Sequence, residues 1–129
     1  MSTKLVAVLS AGFGLLSISV SSYSHHASAV VYDLTQEITL SGTVTDFRFV
    51  NPHVLIYFDV RGEDGKVVTW MGGMSNPGSL RSEGWSSETL EPGDEIVVTG
   101  APARGGALSV WVGQVILNSE PLLRGEFRG

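Results

Sequence analysis

Between Glu37 and Leu117 the apolar residues fall on alternate positions in five short runs, each closed by Gly, Pro, Asn or Asp. A two-residue period buries one face of a segment and wets the other, so these runs read as strands. In the first run, residues 37–50, Ile38, Leu40 and Val44 share one parity with Gly42 between them, and the apolar parity then passes to Phe47 and Phe49. A slip of one residue turns every side chain over, so the switch demands a bulge or a sharp bend. Asn51-Pro52 makes a tight turn. Residues 53–60 form the second strand, with Val54, Ile56, Phe58 and Val60 inward and His53, Leu55, Tyr57 and Asp59 on the other face. Gly62-Glu63-Asp64-Gly65 is a hairpin loop into the third strand, residues 66–71, which Gly72 and Gly73 are expected to end.

Ser75-Asn76-Pro77 opens a short helix: a capping side chain, then proline in the first turn. Gly84 fits the helix exit, and Trp85 is expected to pack beneath it. Pro92-Gly93-Asp94 turns into the fourth strand, residues 95–99, with Ile96 and Val98 inward. Residues 101–106 read as a mobile loop around Arg104. Residues 107–117 form the fifth strand, whose parity shifts from Leu108, Val110 and Val112 to Val115 and Leu117, again implying a bend. From Asn118 onward no strand pattern is present. The order strand, strand, strand, helix, strand, strand belongs to the oligonucleotide/oligosaccharide-binding (OB) barrel. The expected fold is therefore all-β: a small five-stranded OB-like Greek-key barrel with one short helix between strands 3 and 4, preceded by a signal peptide. A small open β-sandwich is the alternative.

The leader carries the second constraint. Lys4 precedes sixteen uncharged residues, Leu5 to Val20, which suits a signal-peptide core and is short for a membrane span. Ser22 and Ser24 fit a cut before His25; Ala27 and Ala29 fit one before Val30 at least as well. The first keeps a His-His pair at the new terminus and the second discards it. The chain divides into a signal peptide (1–24), an N-terminal extension (25–36), the barrel (37–118) and a tail (119–129). Export to the periplasm or beyond is expected, with no membrane span left after cleavage. The chain has no cysteine, which excludes disulfides, thiolate metal sites and cysteine nucleophiles. Beyond residue 24 it holds 7 basic and 13 acidic residues, net −6, and the basic ones are scattered. A nucleic-acid partner is not expected, because phosphate binding rests on clustered Lys and Arg. No phosphate loop and no serine with a motif-placed histidine and acid is present, so no enzyme is expected.

His25-His26, Tyr32-Asp33, Asn51-Pro52-His53, Gly84-Trp85 and Pro92-Gly93-Asp94 occur in this order. The set, over about residues 25–118, resembles a family of small exported bacterial proteins that share a domain of unknown function. The resemblance implies a Gram-negative periplasmic setting and a barrel of the type above, and implies no activity. Ala27-Ser28-Ala29 departs from that family's Ser-Phe-Ala run, and the departure creates the competing cleavage site.

Candidate chemistry rests on the three histidines His25, His26 and His53. An N-terminal histidine offers its amine and ring nitrogen to one metal, and a second imidazole completes a T-shaped nitrogen site of the kind Cu(II) prefers. His53, at the barrel's edge, is the candidate distant ligand, and Asp33 or Asp59 a candidate oxygen donor. The competing view is a solvated pair, with His53 hydrogen-bonded to its own turn. Tyr57 and Trp70, on strands two and three, are a weaker candidate ligand face, against the simpler role of filling the core. The function these residues suggest is a periplasmic binding module with copper as candidate ligand. The alternative is an accessory, protein-interaction barrel without metal.

Overall fold

A computed structural model of the chain describes residues 28–124. The expected signal peptide, His25 and His26 lie outside the described residues. The elements are β1 (Ile38–Arg48), β2 (Leu55–Arg61), β3 (Val67–Gly73), α1 (Pro77–Ser82), β4 (Glu95–Pro102), a 3-10 turn (Arg104–Gly106), β5 (Ser109–Leu117) and β6 (Glu120–Arg124). One sheet runs in the order β3-β2-β1-β4-β5-β6. It closes through a parallel pairing of β3 with β5, Met71 opposite Ser109, Gly72 opposite Val110 and Gly73 opposite Trp111. The first five strands thus form a closed OB-type barrel with its helix between β3 and β4, and not an open sandwich.

Closure needs strongly bent strands, and both parity switches mark a bend. On β1, Val44 faces Phe58 and Asp46 faces Tyr57, which leaves Thr45 as an extra residue. On β5, Thr99 faces Gln114 and Gly100 faces Val112, which leaves Gly113 over. Each bulge curls its strand and lets both halves point apolar side chains inward. The core so formed holds Val44, Ile56, Phe58, Ile96, Val98, Val110 and Val115, with Phe58 fully buried. Gly72 and Gly73 belong to β3 and do not end it. A Cβ at Gly72 would sit 2.8 Å from Val112 Cγ2, and one at Gly73 3.3 Å from the Trp111 ring. The pair marks where β5 comes close enough to close the barrel. The Asn51–Pro52 peptide bond, in the β1–β2 turn, is cis.

Helix α1 has only 6 residues, too few to persist without packing. Asn76 Oδ1 accepts the Ser79 N–H at 2.9 Å, and Pro77 follows in the first turn. At the exit Gly84 takes φ +92°, the Gly84 N–H bonds Arg81 O and the Trp85 N–H bonds Leu80 O, both at 3.0 Å. This double bond pattern satisfies the orphan carbonyls of the last turn and delivers Trp85 into the core. Trp85 is buried as expected, and its Nε1–H donates to Leu122 O at 3.2 Å. Asn76→Ala removes the cap and should lower unfolding free energy by about 1 kcal/mol, read as a lower urea midpoint at unchanged slope.

Two segments differ from expectation. Residues 101–106 are not a loose loop: β4 runs on to Pro102, the 3-10 turn follows, and the Ala103 N–H bonds Ser109 O at 2.9 Å. The expected tail instead begins with β6, hydrogen-bonded to β5 from Leu117 opposite Glu120 to Gln114 opposite Arg124. Asn118 and Ser119 both take positive φ, 51° and 67°, the requirement of a tight two-residue hairpin.

Candidate functional site at the barrel rim

Residues 28–33 form a strap across one end of the barrel. Residues 28–31 make a helical turn, with the Tyr32 N–H donating to Ser28 O at 2.8 Å. Tyr32 then bridges Ala103, and the Asp33 N–H donates to Pro102 O at 2.9 Å, so the strap lies along the β4–β5 connection. Arg104 spans it: Nε–H donates to Ala29 O at 3.2 Å, and Nη2 lies 4.0 Å from Asp33 Oδ1. Asp33 accepts from the Thr35 hydroxyl at 2.6 Å, the Thr35 N–H at 3.1 Å and Gln36 Nε2 at 3.1 Å. Its carboxyl is held below the usual aspartate value, first by the Thr35 hydroxyl, then by the Thr35 amide, with Arg104 and Gln36 adding to them against partial desolvation.

Tyr32 is the buried anchor of the strap. Its hydroxyl shares a 2.9 Å hydrogen bond with Ser109 Oγ, which satisfies both buried oxygens. Its ring packs on Trp111 at 5.8 Å between centroids, tilted by 42°. On the same indole, His53 stands edge-on at 5.5 Å and 90°. A Cβ at Gly73 would lie 3.4 Å from the Tyr32 hydroxyl, an ordinary contact distance, so the tighter neighbour that this glycine accommodates is the Trp111 ring on β5. His53 is exposed, and its ring makes no hydrogen bond to any described residue. The turn carbonyl considered as its partner does not accept from it. Strap, β1–β2 turn and β5 therefore meet on one side chain, Trp111.

The other sequence candidates do not join this cluster. Asp59 lies six residues beyond His53, roughly 20 Å along an extended chain, and accepts from the Thr69 hydroxyl at 2.6 Å. It lines a separate open groove of about 530 Å³ together with Ser41, Thr43, Arg61 and Glu95. Asp33 belongs to the strap, but its oxygens are engaged by Thr35 and Gln36. Tyr57 and Trp70 do not share a ligand face. Trp70 is opposite the inward Phe58 and packs against the core, whereas Tyr57 is opposite Met71 on the outer face. There the Arg48 guanidinium lies 5.0 Å from the Tyr57 ring centre. Sequence reading placed Arg104 only in a loop, Tyr32 only in a motif and Trp111 only among the aromatic residues, and did not bring the three together. The one signal for Trp111 was its parity, outward between the inward Val110 and Val112. Among the described residues no three His, Asp or Glu side chains gather closely enough to hold a metal. Among the same residues no helix is long and apolar enough to cross a membrane.

Fold and strap define the class of protein: a closed OB-type barrel whose own N-terminal segment covers the rim between the β1–β2 and β4–β5 connections. The chain belongs to a family of unknown function (DUF6152), whose sequence profile matches residues 11–110. Among solved structures it is similar to the mitochondrial single-stranded DNA binding protein Rim1 of S. cerevisiae, at 12% identity and a TM-score of 0.50, covering 66% of this chain and 96% of that one. A second crystal form of Rim1 gives 14% identity and 0.50 over 70% and 97%. The small single-stranded DNA-binding protein from Streptomyces coelicolor gives 19% and 0.44 over 64% and 91%. At these identities the likeness to Rim1 is one of fold. No curated protein sequence matches the chain.

Proposed function

We propose that this protein is a non-enzymatic periplasmic binding module that takes one Cu(II) through His25, His26 and His53. The observation that carries the reading is the exposed His53 ring, without a hydrogen bond to the described residues and packed on Trp111, the same indole that receives the strap. His26 precedes the first described strap residue, Ser28, by two residues, at most about 7 Å of chain. The histidine pair is thus tethered to a segment docked on the indole that carries His53. A cut before His25 leaves a terminal amine and two imidazoles, and His53 adds a third, an all-nitrogen set suited to Cu(II). A cut before Val30 would also remove Ser28 O, which bonds Tyr32, and Ala29 O, which bonds Arg104. The strap's own hydrogen bonds therefore favour the upstream cut.

The fold relatives bind single-stranded DNA, but this chain's net charge of −6 beyond residue 24 disfavours a phosphate backbone. The strap also stands between the two connections that flank the ligand in OB barrels. The test is a titration of the protein recovered from a periplasm, Cu(II) against a competing chelator, with the intact mass measured. The expected result is a mass starting at His25 and one copper retained, with affinity falling about 100-fold in His25→Ala and in His53→Ala, or about 2.7 kcal/mol each. A mass starting at Val30, or no copper retained, overturns the reading and leaves an accessory barrel that works through a protein partner.

A further inference from the structure

We infer that the open edge of β3 is an interface between two copies of this chain, which pair β3 with β3 antiparallel about a two-fold axis at Val68. The inference does not depend on a metal. β5 joins β3 only from Met71 to Gly73, where the Met71 N–H donates to Leu108 O at 3.1 Å. At the hairpin end the Gly62 N–H donates to Lys66 O at 2.8 Å. Main-chain groups point to alternate sides along a strand, so Lys66, Val68 and Trp70 bond toward β2, while Val67, Thr69 and Met71 point away from it. Met71 reaches β5, but the outward N–H and C=O of Val67 and Thr69 meet no main-chain partner among the described residues. Val67, Val68 and Thr69 are exposed, and so is Leu108 where β5 joins. An apolar edge is a template for another strand unless charge, proline or a bulge blunts it. The β6 edge is blunted: Glu120 and Arg124 are charged, Pro121 has no donor, and Leu122 O is taken by the Trp85 indole. Residues 67–70 carry no such device, and their register with β2 is unbroken.

The open groups select both partner and register. Val67 and Thr69 are satisfied together when Val67 lies opposite Thr69 of the second copy and Thr69 opposite its Val67. A pairing centred on Thr69 would need Met71, which is already bonded to β5. One centred on Val67 would need Gly65, which lies in the hairpin turn with its N–H on Gly62 O. The remaining register closes about four main-chain hydrogen bonds around Val68, which meets its own copy as a non-hydrogen-bonded pair with Cα atoms about 4.5 Å apart. Side chains stand closest at such a pair, so two exposed valines bury each other. Charge favours the same arrangement. The β2 neighbour of Thr69 is Asp59 and that of Val67 is Arg61. Setting Thr69 against Val67 brings Asp59 of one chain into the same row as Arg61 of the other, twice. Setting Val67 against Val67 in parallel would instead align Asp59 with Asp59. The pair is isologous, so it consumes the edge and closes without growing into a fibre.

The test is sedimentation equilibrium of the protein recovered from a periplasm, from micromolar to near-millimolar concentration. A chelator is kept present so that no metal can join two chains. The expected result is a reversible monomer–dimer equilibrium, since three paired residues make a small contact. Val68→Lys places two like charges at the two-fold axis and should abolish the dimer. Val67→Pro removes a donor that points away from β2 and should weaken the dimer without breaking the β2–β3 ladder. Both variants should melt close to the wild type, because the altered side chains are exposed. A single Val68→Cys gives a direct reading of the register, because the chain has no cysteine of its own. Mild oxidation should link this variant into a covalent dimer, and should leave Val50→Cys, equally exposed in the β1–β2 turn, monomeric. A wild-type protein that stays monomeric at every concentration overturns the inference. So does a dimer that survives Val68→Lys, or cross-linking that is no faster at position 68 than at position 50.

Discussion

Gly100→Ala is expected to cost at least about 3 kcal/mol, the upper end of the range for overpacked interiors. Gly100 is buried on β4, opposite Val112 and beside the bulge left by Gly113. A Cβ there would overlap the Trp111 carbonyl oxygen and lie 2.9 Å from Val110 Cγ2. A side-chain tip can swing away, but a carbonyl fixed in the β4–β5 ladder can move only if the ladder opens. Opening it would disturb Val110 and Val112 in the core, and with them the β3–β5 closure. Small domains have only about 5–15 kcal/mol in hand, so the loss is a large share of the total. Gly105→Ala is the control. Gly105 has φ +76° and nothing within 4 Å of its Cβ position, so only the left-handed backbone is penalised, by about 1 kcal/mol. Urea unfolding of the two variants measures the difference. A Gly100→Ala loss no larger than that of Gly105→Ala would show that β4 and β5 can separate locally at no great expense.

The barrel was legible where the signal is local. The parity switch between Val44 and Phe47 requires one extra residue, and the bulge at Thr45 is that residue. Asn76, Pro77, Gly84 and Trp85 act within one short stretch of chain, and the helix forms with the cap and exit their types prescribe. Signals that depend on a distant partner were misread or missed. Gly72 and Gly73 look like the end of a strand until Val112 and Trp111 are placed against them. Tyr57 and Trp70 sit on neighbouring strands, but the face each occupies follows from register, and Val67-Val68-Thr69-Trp70 has no alternation to reveal it. Strand β6 hides because Pro121 and the adjacent Leu122 and Leu123 break the two-residue period, and its pairing with β5 is what makes it a strand. The rim cluster is the extreme case. Tyr32 and Ser109 are 77 positions apart, and only the closed barrel brings them to 2.9 Å. The histidines and Trp111 were visible as residue types; the contact between His53 and Trp111 was not.

Copper should stabilise the folded barrel only if the barrel itself supplies a ligand, and this separates a three-histidine site from a two-histidine one. A ligand raises unfolding free energy by its preference for the folded over the unfolded chain. His25 and His26 are adjacent near a terminus, so a site made of these two alone binds the folded and unfolded chain alike and shifts nothing. His53 enters only when Trp111, the strap and the β1–β2 turn are assembled. If His53 adds a hundredfold in affinity, saturating Cu(II) adds about 2.7 kcal/mol. At about 4–8 °C per kcal/mol for a domain of this size, the melting temperature should rise by roughly 10–20 °C. The same copper should slow proteolysis between residues 25 and 33, because metal bound to both ends latches the strap to the barrel. His53→Ala should keep the metal-free melting temperature close to that of the wild type, since the ring is exposed and makes no hydrogen bond to the described residues. It should also keep weaker copper binding on the terminal pair while losing the thermal shift. Scanning calorimetry of both proteins with and without Cu(II) measures this. A wild-type protein that binds copper yet melts at the same temperature would place the metal on the terminal pair alone and return His53 to an ordinary rim residue.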